Sequence, residues 1–293
     1  MRTPSIFTLA IGLSTLLVLN SCEPTATVTP PLVTVNPTTE VSAKPGDLLA
    51  YQMITSSETD LKTAGINAKF NSTVLYSKDT VFAAGVDQAI INFKFTVPAD
   101  MADGAVLSLT FTATNTESTV VTRTVNVTNP PGEIFTYTAV IMADLENPNG
   151  KSFYSVEDNK LMNINEAIAA SATVDLIYYY GVTNKASLCA PADVAVEAFE
   201  DSHNESIVKK FTTRNNTKLA PVTMTADEFT AITNDLAIKA KQPSATATAV
   251  TKLAIDNIVW CENVTGKKAL IRVKNITGAQ ASSLITIEVK VQK

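Results

Sequence analysis

The chain has 293 residues, of which 45% are hydrophobic, 17% charged and 6% aromatic. Its mean hydropathy of +0.14 excludes a disordered chain, because disorder requires low hydrophobicity and high net charge. The formal net charge of −5 is opposite in sign to the charge that nucleic-acid binding requires, so no nucleic-acid partner is expected. A single histidine, His203, stands in a polar segment, which removes most zinc-site and triad chemistry.

Residues 1–21 are predicted to be a lipoprotein export signal. Arg2 precedes an apolar run over residues 6–19, which is too short for a spanning helix. The run ends in Leu-Asn-Ser-Cys at residues 19–22, which resembles the lipobox of bacterial lipoproteins. That resemblance implies a lipid on the sulfur of Cys22 and cleavage before it. The alternative is an ordinary signal peptide beside an unrelated cysteine.

Residues 22–40 are rich in proline and threonine, which predicts an extended tether. Residues 41–130 alternate apolar and polar side chains in short runs, most clearly over 89–97 and 105–113, a pattern typical of half-buried strands. With the Pro-Ala-Asp-Met-Ala-Asp-Gly segment at 98–104, the pattern resembles the immunoglobulin-like and cadherin-like modules of bacterial surface proteins. The resemblance implies an N-terminal immunoglobulin-like β-sandwich.

Residues 131–293 mix strand and helix periods, so an α+β C-terminal domain is expected and the whole protein should be mainly β. The segment 163–171 predicts a short helix. Thr225 and Glu228 have capping-box spacing and predict a second helix that carries Phe229, Ile232 and Leu236 on one face. The last strand, 283–292, alternates strictly and is predicted to carry Lys290 on the face opposite to that of Ile285 and Ile287.

The lipobox, the tether, the immunoglobulin-like pattern and the closing stretch 266–292 together resemble uncharacterised secreted lipoproteins of the Bacteroides group. The resemblance implies an outer-membrane lipoprotein on the periplasmic or cell-surface face, whose C-terminal domain has no known function. In exported proteins of that group, Asp-Thr-Val as at residues 79–81 resembles an O-glycosylation site. Thr80 is therefore a candidate for modification, although a turn that enters a strand explains the tripeptide equally well.

The sequence carries no serine-nucleophile, zinc-protease or P-loop motif, so neither catalysis nor a cofactor or metal is expected. A glycosidase that uses a carboxylate pair needs no histidine, and that alternative stays open. Cys189 and Cys261 could form a disulfide in an exported protein, or remain as two buried thiols. Tyr179 and Trp260 are candidate ligand-binding aromatics, with core packing as the favoured alternative.

From these observations we expect a lipid-anchored envelope protein. It would contact the membrane through its anchor and act as a non-enzymatic adhesion or binding module for a glycan or protein partner. A carboxylate-dependent enzyme of envelope or host glycans and a structural component of a surface assembly are the alternatives.

Overall fold

The computed structural model describes residues 28–38, 40–147, 149–200 and 205–293. The protein is mainly β, with 48% strand and 12% helix. In its described part the chain forms two compact units, one of residues 28–38, 50–95 and 108–126 and the other of residues 40–49, 96–107 and 127–293.

Between residues 28 and 130, the described part of the chain forms eight strands: β1 Leu32–Asn36, β2 Val41–Ser42, β3 Leu48–Ser56, β4 Leu61–Phe70, β5 Thr73–Val81, β6 Gln88–Thr96, β7 Val106–Asn115 and β8 Val120–Thr128. They form sheet I, in the order β1-β3-β6, and sheet II, in the order β2-β8-β7-β4-β5. The predicted strands over 89–97 and 105–113 are confirmed as β6 and β7.

Aromatic rings pack the first unit. The ring of Phe111 on β7 lies 5.9 Å from that of Phe93 on β6 and 5.5 Å from that of Tyr51 on β3. Sheets I and II therefore pack through their inward-facing side chains, which is what the alternating pattern requires.

The predicted tether over residues 22–40 is wrong in its last part, because residues 32–36 form β1. Val33 and Val35 are buried, whereas their neighbours along β1 are exposed. This alternation gives the segment one apolar face, and pairing with β3 satisfies the backbone groups on that side of the strand. Apolar alternation thus outweighs the proline-rich composition.

The second unit holds the remaining strands: β9 Ile134–Ala143, β10 Phe153–Ser155, β11 Lys160–Met162, β12 Leu176–Gly181, β13 Lys185–Cys189, β14 Lys218–Val222, β15 Ala249–Val250, β16 Ile258–Glu262, β17 Lys268–Thr277 and β18 Leu284–Gln292. Sheet III has the order β11-β10-β12-β13-β15, and sheet IV the order β14-β16-β17-β18-β9. The α-helices are α1 Ile164–Ala169, α2 Ala226–Thr230 and α3 Asp235–Ala240. Short 3-10 helices cover Ser171–Thr173, Val194–Ala198, Ile207–Lys210 and Gln280–Ser282.

Among the described residues of this unit, three apolar clusters divide the core into layers. The first cluster joins sheet III to sheet IV and includes Tyr178 and Val259. The second joins the opposite face of sheet III to α1 and the 3-10 helices through Ile177 and Tyr179. The third joins the other face of sheet IV to α2 and α3. Sheets III and IV are therefore covered on both faces. For this reason, neighbouring residues along a strand are buried together, as on β12 and β16.

The capping box of α2 is present as predicted, and α1 also begins with a capping box, at Asn163. The side chain of Thr225 accepts from the Glu228 amide at 3.2 Å, and the Glu228 carboxylate accepts from the Thr225 amide at 2.7 Å. The predicted single helix after Thr225 is wrong, because it divides into α2 and α3. The Asn234 side chain accepts from the Leu236 amide and starts α3 anew.

Lys290 is buried, although it lies on the polar face of the last strand. Its ammonium donates to the carbonyl oxygens of Thr230 at 2.9 Å and Ile232 at 2.7 Å. These carbonyls end α2, where an ammonium is favourable. The helix layer thus covers the face that the pattern alone would assign to water.

The segment after β8 is fixed by hydrogen bonds. The Asn129 side chain donates to the Met101 carbonyl at 2.8 Å, and the Gly104 amide donates to the Asn129 carbonyl at 2.7 Å. Lys239 on α3 forms ion pairs with Asp103 and Asp235. Residues 96–107, which the sequence assigned to the first domain, therefore group with the second unit.

Candidate functional site

The two predicted ligand-binding aromatics are buried, so neither presents its ring to a ligand. Tyr179 is 2% exposed and Trp260 is 1% exposed. Tyr179 packs against Phe199 at 5.1 Å, and its hydroxyl accepts from the Asn184 amide group at 3.1 Å. Trp260 packs with Phe229 beneath the helices. The favoured alternative of core packing is therefore correct.

The disulfide between Cys189 and Cys261 is not formed, and both thiols are buried and free. Cys189 belongs to the cluster on the helix side of sheet III, whereas Cys261 belongs to the cluster between sheets III and IV. The two side chains thus lie in different layers of the core. Burial raises the pKa of both thiols well above the ordinary value, so they stay protonated and unreactive.

Thr80 lies on β5, the outer strand of sheet II, where it pairs with Ala64 and is half-buried. Its modification stays a prediction. Cys22 and His203 fall outside the described residues.

Three carboxylates lie at one small cleft of about 220 Å³, formed by the β10–β11 turn, the segment 172–175 before β12 and the β16–β17 hairpin. Burial raises the pKa of Asp175 to about 6. Its carboxylate accepts from the Val156 amide at 2.8 Å. Glu157 is ion-paired with Lys267 at 2.8 Å, which lowers its pKa. Asp158 accepts from the Ser155 hydroxyl at 3.1 Å. Each of the three carboxylates thus has a hydrogen-bond or ion-pair partner within the turn or the hairpin that forms the cleft.

A larger groove of about 600 Å³ lies beside β9 in the second unit. Residues 136–140 of β9 form one wall, and Lys151 with residues 159–161 at the start of β11 forms the other. The groove therefore runs between the outer strand of sheet IV and the outer strand of sheet III. An outer strand leaves one row of backbone groups without a strand partner.

Positive charge dominates the lining of this groove. Of the described residues that line it, the charged ones are Lys151 and Lys160, and both are exposed. The Lys151 ammonium lies 4.0 Å from the Glu166 carboxylate, and 52% of its side chain is exposed. In a chain with a net charge of −5, this lining favours an anionic ligand.

A β-bulge shapes the groove wall. Ile287 pairs with Val140, and the next register pair joins Val289 to Tyr137, so two residues of β9 lie opposite one residue of β18. Thr138 and Ala139 are the two residues, and both are exposed. Bulges on outer strands turn side chains and interrupt further pairing.

Sequence reasoning missed this groove, because the alternation of β9 predicts a strand and says nothing of its place in the sheet. Among the residues that the structure describes, no group of three His, Cys, Asp or Glu side chains could hold a metal ion. In the same part of the chain, no helix has the length and apolarity to cross a membrane.

No protein-family model matches the chain, and no curated protein matches it. Among solved structures it is similar to a DUF4466 family protein from Parabacteroides merdae, with 12% identity and a TM-score of 0.41 over 91% of this chain and 99% of that chain. It is also similar to a bacterial ice-binding adhesin, with 9% identity and a TM-score of 0.22 over 88% and 98% of the two chains. These similarities assign no function.

Proposed function

We propose that this chain is a lipid-anchored protein of the bacterial cell envelope that binds a glycan or protein partner without converting it. Residues 1–21 would direct export, and a lipid on Cys22 would hold the protein at the outer membrane, on its periplasmic or cell-surface face. The strands before residue 130 would act as an immunoglobulin-like spacer, and the α+β part would bind the partner.

The groove beside β9 carries the binding part of the proposal. It joins an unpaired strand edge, a bulge that exposes Thr138 and Ala139, and two exposed lysines in one open channel. These are features that bind a ligand by hydrogen bonds and charge. Among the described residues, the lining holds no aspartate, glutamate, histidine or cysteine; it consists of threonine, tyrosine, alanine, valine, asparagine, leucine and lysine side chains.

A carboxylate-dependent glycan hydrolase is the second candidate, and the raised pKa of Asp175 favours it. A catalytic acid must donate its proton to the substrate. The Asp175 carboxylate instead accepts hydrogen bonds from backbone amides of the β10–β11 turn. Binding is therefore preferred over hydrolysis.

Glycan arrays and pull-downs from envelope extracts, both with the full chain, test the proposal. We expect a specific partner to be retained and its mass to be unchanged after incubation. Blank screens together with hydrolysis of an envelope glycan that the Asp175→Asn variant loses would overturn it in favour of the enzyme. Blank screens with a concentration-dependent oligomer would instead favour a structural assembly.

A further inference from the structure

The backbone of β9 ends sheet IV on the side of the groove. β9 pairs with β18 on one side, and β18 is its sole neighbour in the sheet order of the described chain. At the C-terminal end, the Ala143 amide donates to the Lys151 carbonyl at 3.0 Å, which covers the free side there. Residues 136–140 line the open groove instead. The free edge is therefore the N-terminal part of β9, up to the bulge.

Aromatic rings at this edge are not available as a sugar platform. Phe135 and Tyr137 stack on each other, with centroids 6.1 Å apart and planes 15° apart. The Lys293 ammonium lies 5.1 Å from the centre of the Phe135 ring, and Tyr137 packs against the core between the sheets. A sugar ring needs a free aromatic face. The groove therefore lacks the free aromatic face that would favour a glycan. It has a free strand edge, which favours a peptide strand.

We infer that the groove binds an extended, acidic peptide segment of a partner protein, which adds to sheet IV as a strand beside β9. The inference rests on the proposed binding function and names its ligand. Main-chain hydrogen bonds to the N-terminal half of β9 supply affinity that does not depend on sequence, as in other strand additions. The bulge at Thr138 and Ala139 ends the pairing, so the paired segment is short.

The two lysines select the charge of the peptide. Lys151 and Lys160 stand on the wall opposite β9, so a strand that lies in the groove passes between them and the sheet edge. Side chains of a strand alternate between its two faces. Acidic residues at alternate positions of the ligand would meet the ammonium groups, whereas basic residues there would be repelled.

A random dodecapeptide library displayed on phage, panned against the full chain in detergent, tests this inference. We expect enriched peptides to carry Asp or Glu alternating with β-branched residues. Lys151→Glu together with Lys160→Glu should weaken their binding by about tenfold, because both substitutions replace attraction of the acidic side chains by repulsion. The matched control, Lys62→Glu with Lys69→Glu, changes the charge equally at two exposed strand residues elsewhere and should keep full binding.

Backbone N-methylation of one enriched peptide tests strand addition separately from charge. In a bound peptide strand, only every second backbone N–H points to β9. Methylation of those nitrogens should abolish binding, and methylation of the nitrogens between them should not. Failure to enrich peptides, equal loss for both double variants, or N-methylation without alternation would overturn the inference. Binding of polygalacturonate that only the Lys151/Lys160 variant loses, with no enriched peptide, would overturn the peptide and leave the proposed binding function standing. Failure of every probe and of the partner screens would remove both.

Discussion

The Asp175 carboxylate accepts a hydrogen bond of 2.8 Å from the Val156 amide, in the turn that joins β10 to β11. Burial raises the pKa of Asp175 to about 6, against about 3.9 in an unfolded chain. The folded protein thus holds this proton more tightly. The stability that this group contributes is fully present below about pH 4 and is lost as the pH rises through 6.

We therefore predict that the free energy of unfolding depends on pH through Asp175. The difference between the native protein and Asp175→Asn should fall by about 2 kcal/mol from pH 4 to pH 7, since most of the roughly two-unit pKa difference is titrated in that range. Urea unfolding of both proteins at four pH values measures it. A difference that stays constant over this range would contradict the buried, proton-holding role of Asp175.

The buried ammonium of Lys290 predicts a large effect of a small substitution. Lys290→Met removes both hydrogen bonds to the carbonyls that end α2. It should lower the free energy of unfolding by about 2 kcal/mol, because buried acceptors lose their donor. Lys94→Met is the control, since Lys94 is exposed on β6 and its substitution should change stability by less than about 0.5 kcal/mol. Equal effects of the two substitutions would show that Lys290 is no cap.

Because Cys189 and Cys261 are buried and free, we predict that both react slowly with a thiol reagent and that prior reduction does not change this. In a version of the chain that begins at residue 23, an Ellman titration should detect no fast-reacting thiol in the folded state and two in denaturant, because Cys189 and Cys261 are buried and free. Prior reduction should leave the result unchanged. Two thiols that appear in denaturant only after reduction would instead demonstrate a disulfide.

If a lipid is attached at Cys22, the protein should be found in the outer-membrane fraction. Cells grown with labelled palmitate should incorporate label into the protein, and the protein should sediment with outer membranes after carbonate washing. Cys22→Ser should abolish both, because a lipid on that sulfur is the expected anchor. Unchanged incorporation of label in the variant would refute the site.

Local sequence patterns predicted several of the strands and the helices that begin at Asn163 and Thr225. The alternation over β18 placed Ile285 and Ile287 in the core, where both are buried, and the Thr225 capping box stands where its spacing predicts. These features depend on neighbours along the chain, and period or spacing suffices to find them.

Long-range packing accounts for what the sequence did not reveal. Lys290 is buried because α2 ends over the outer side of β18, a contact across about 60 residues. Tyr179 is buried because helices cover the second face of sheet III. The groove depends on strand order, which makes β9 the outer strand. The periodicity of a segment does not show whether helices cover a sheet face or which strand lies at the edge of a sheet. The candidate site could therefore not be found from the sequence.

Hydrogen exchange on β9 tests the binding groove most directly. Backbone amides of residues 134–139 should exchange readily in the isolated protein, on the side away from β18, and become protected when the partner recovered by pull-down is bound. Protection should extend to residues 159–161 on the opposite wall. Protection confined to other strands, with no change at β9 on binding, would contradict the assignment of the groove as the binding site.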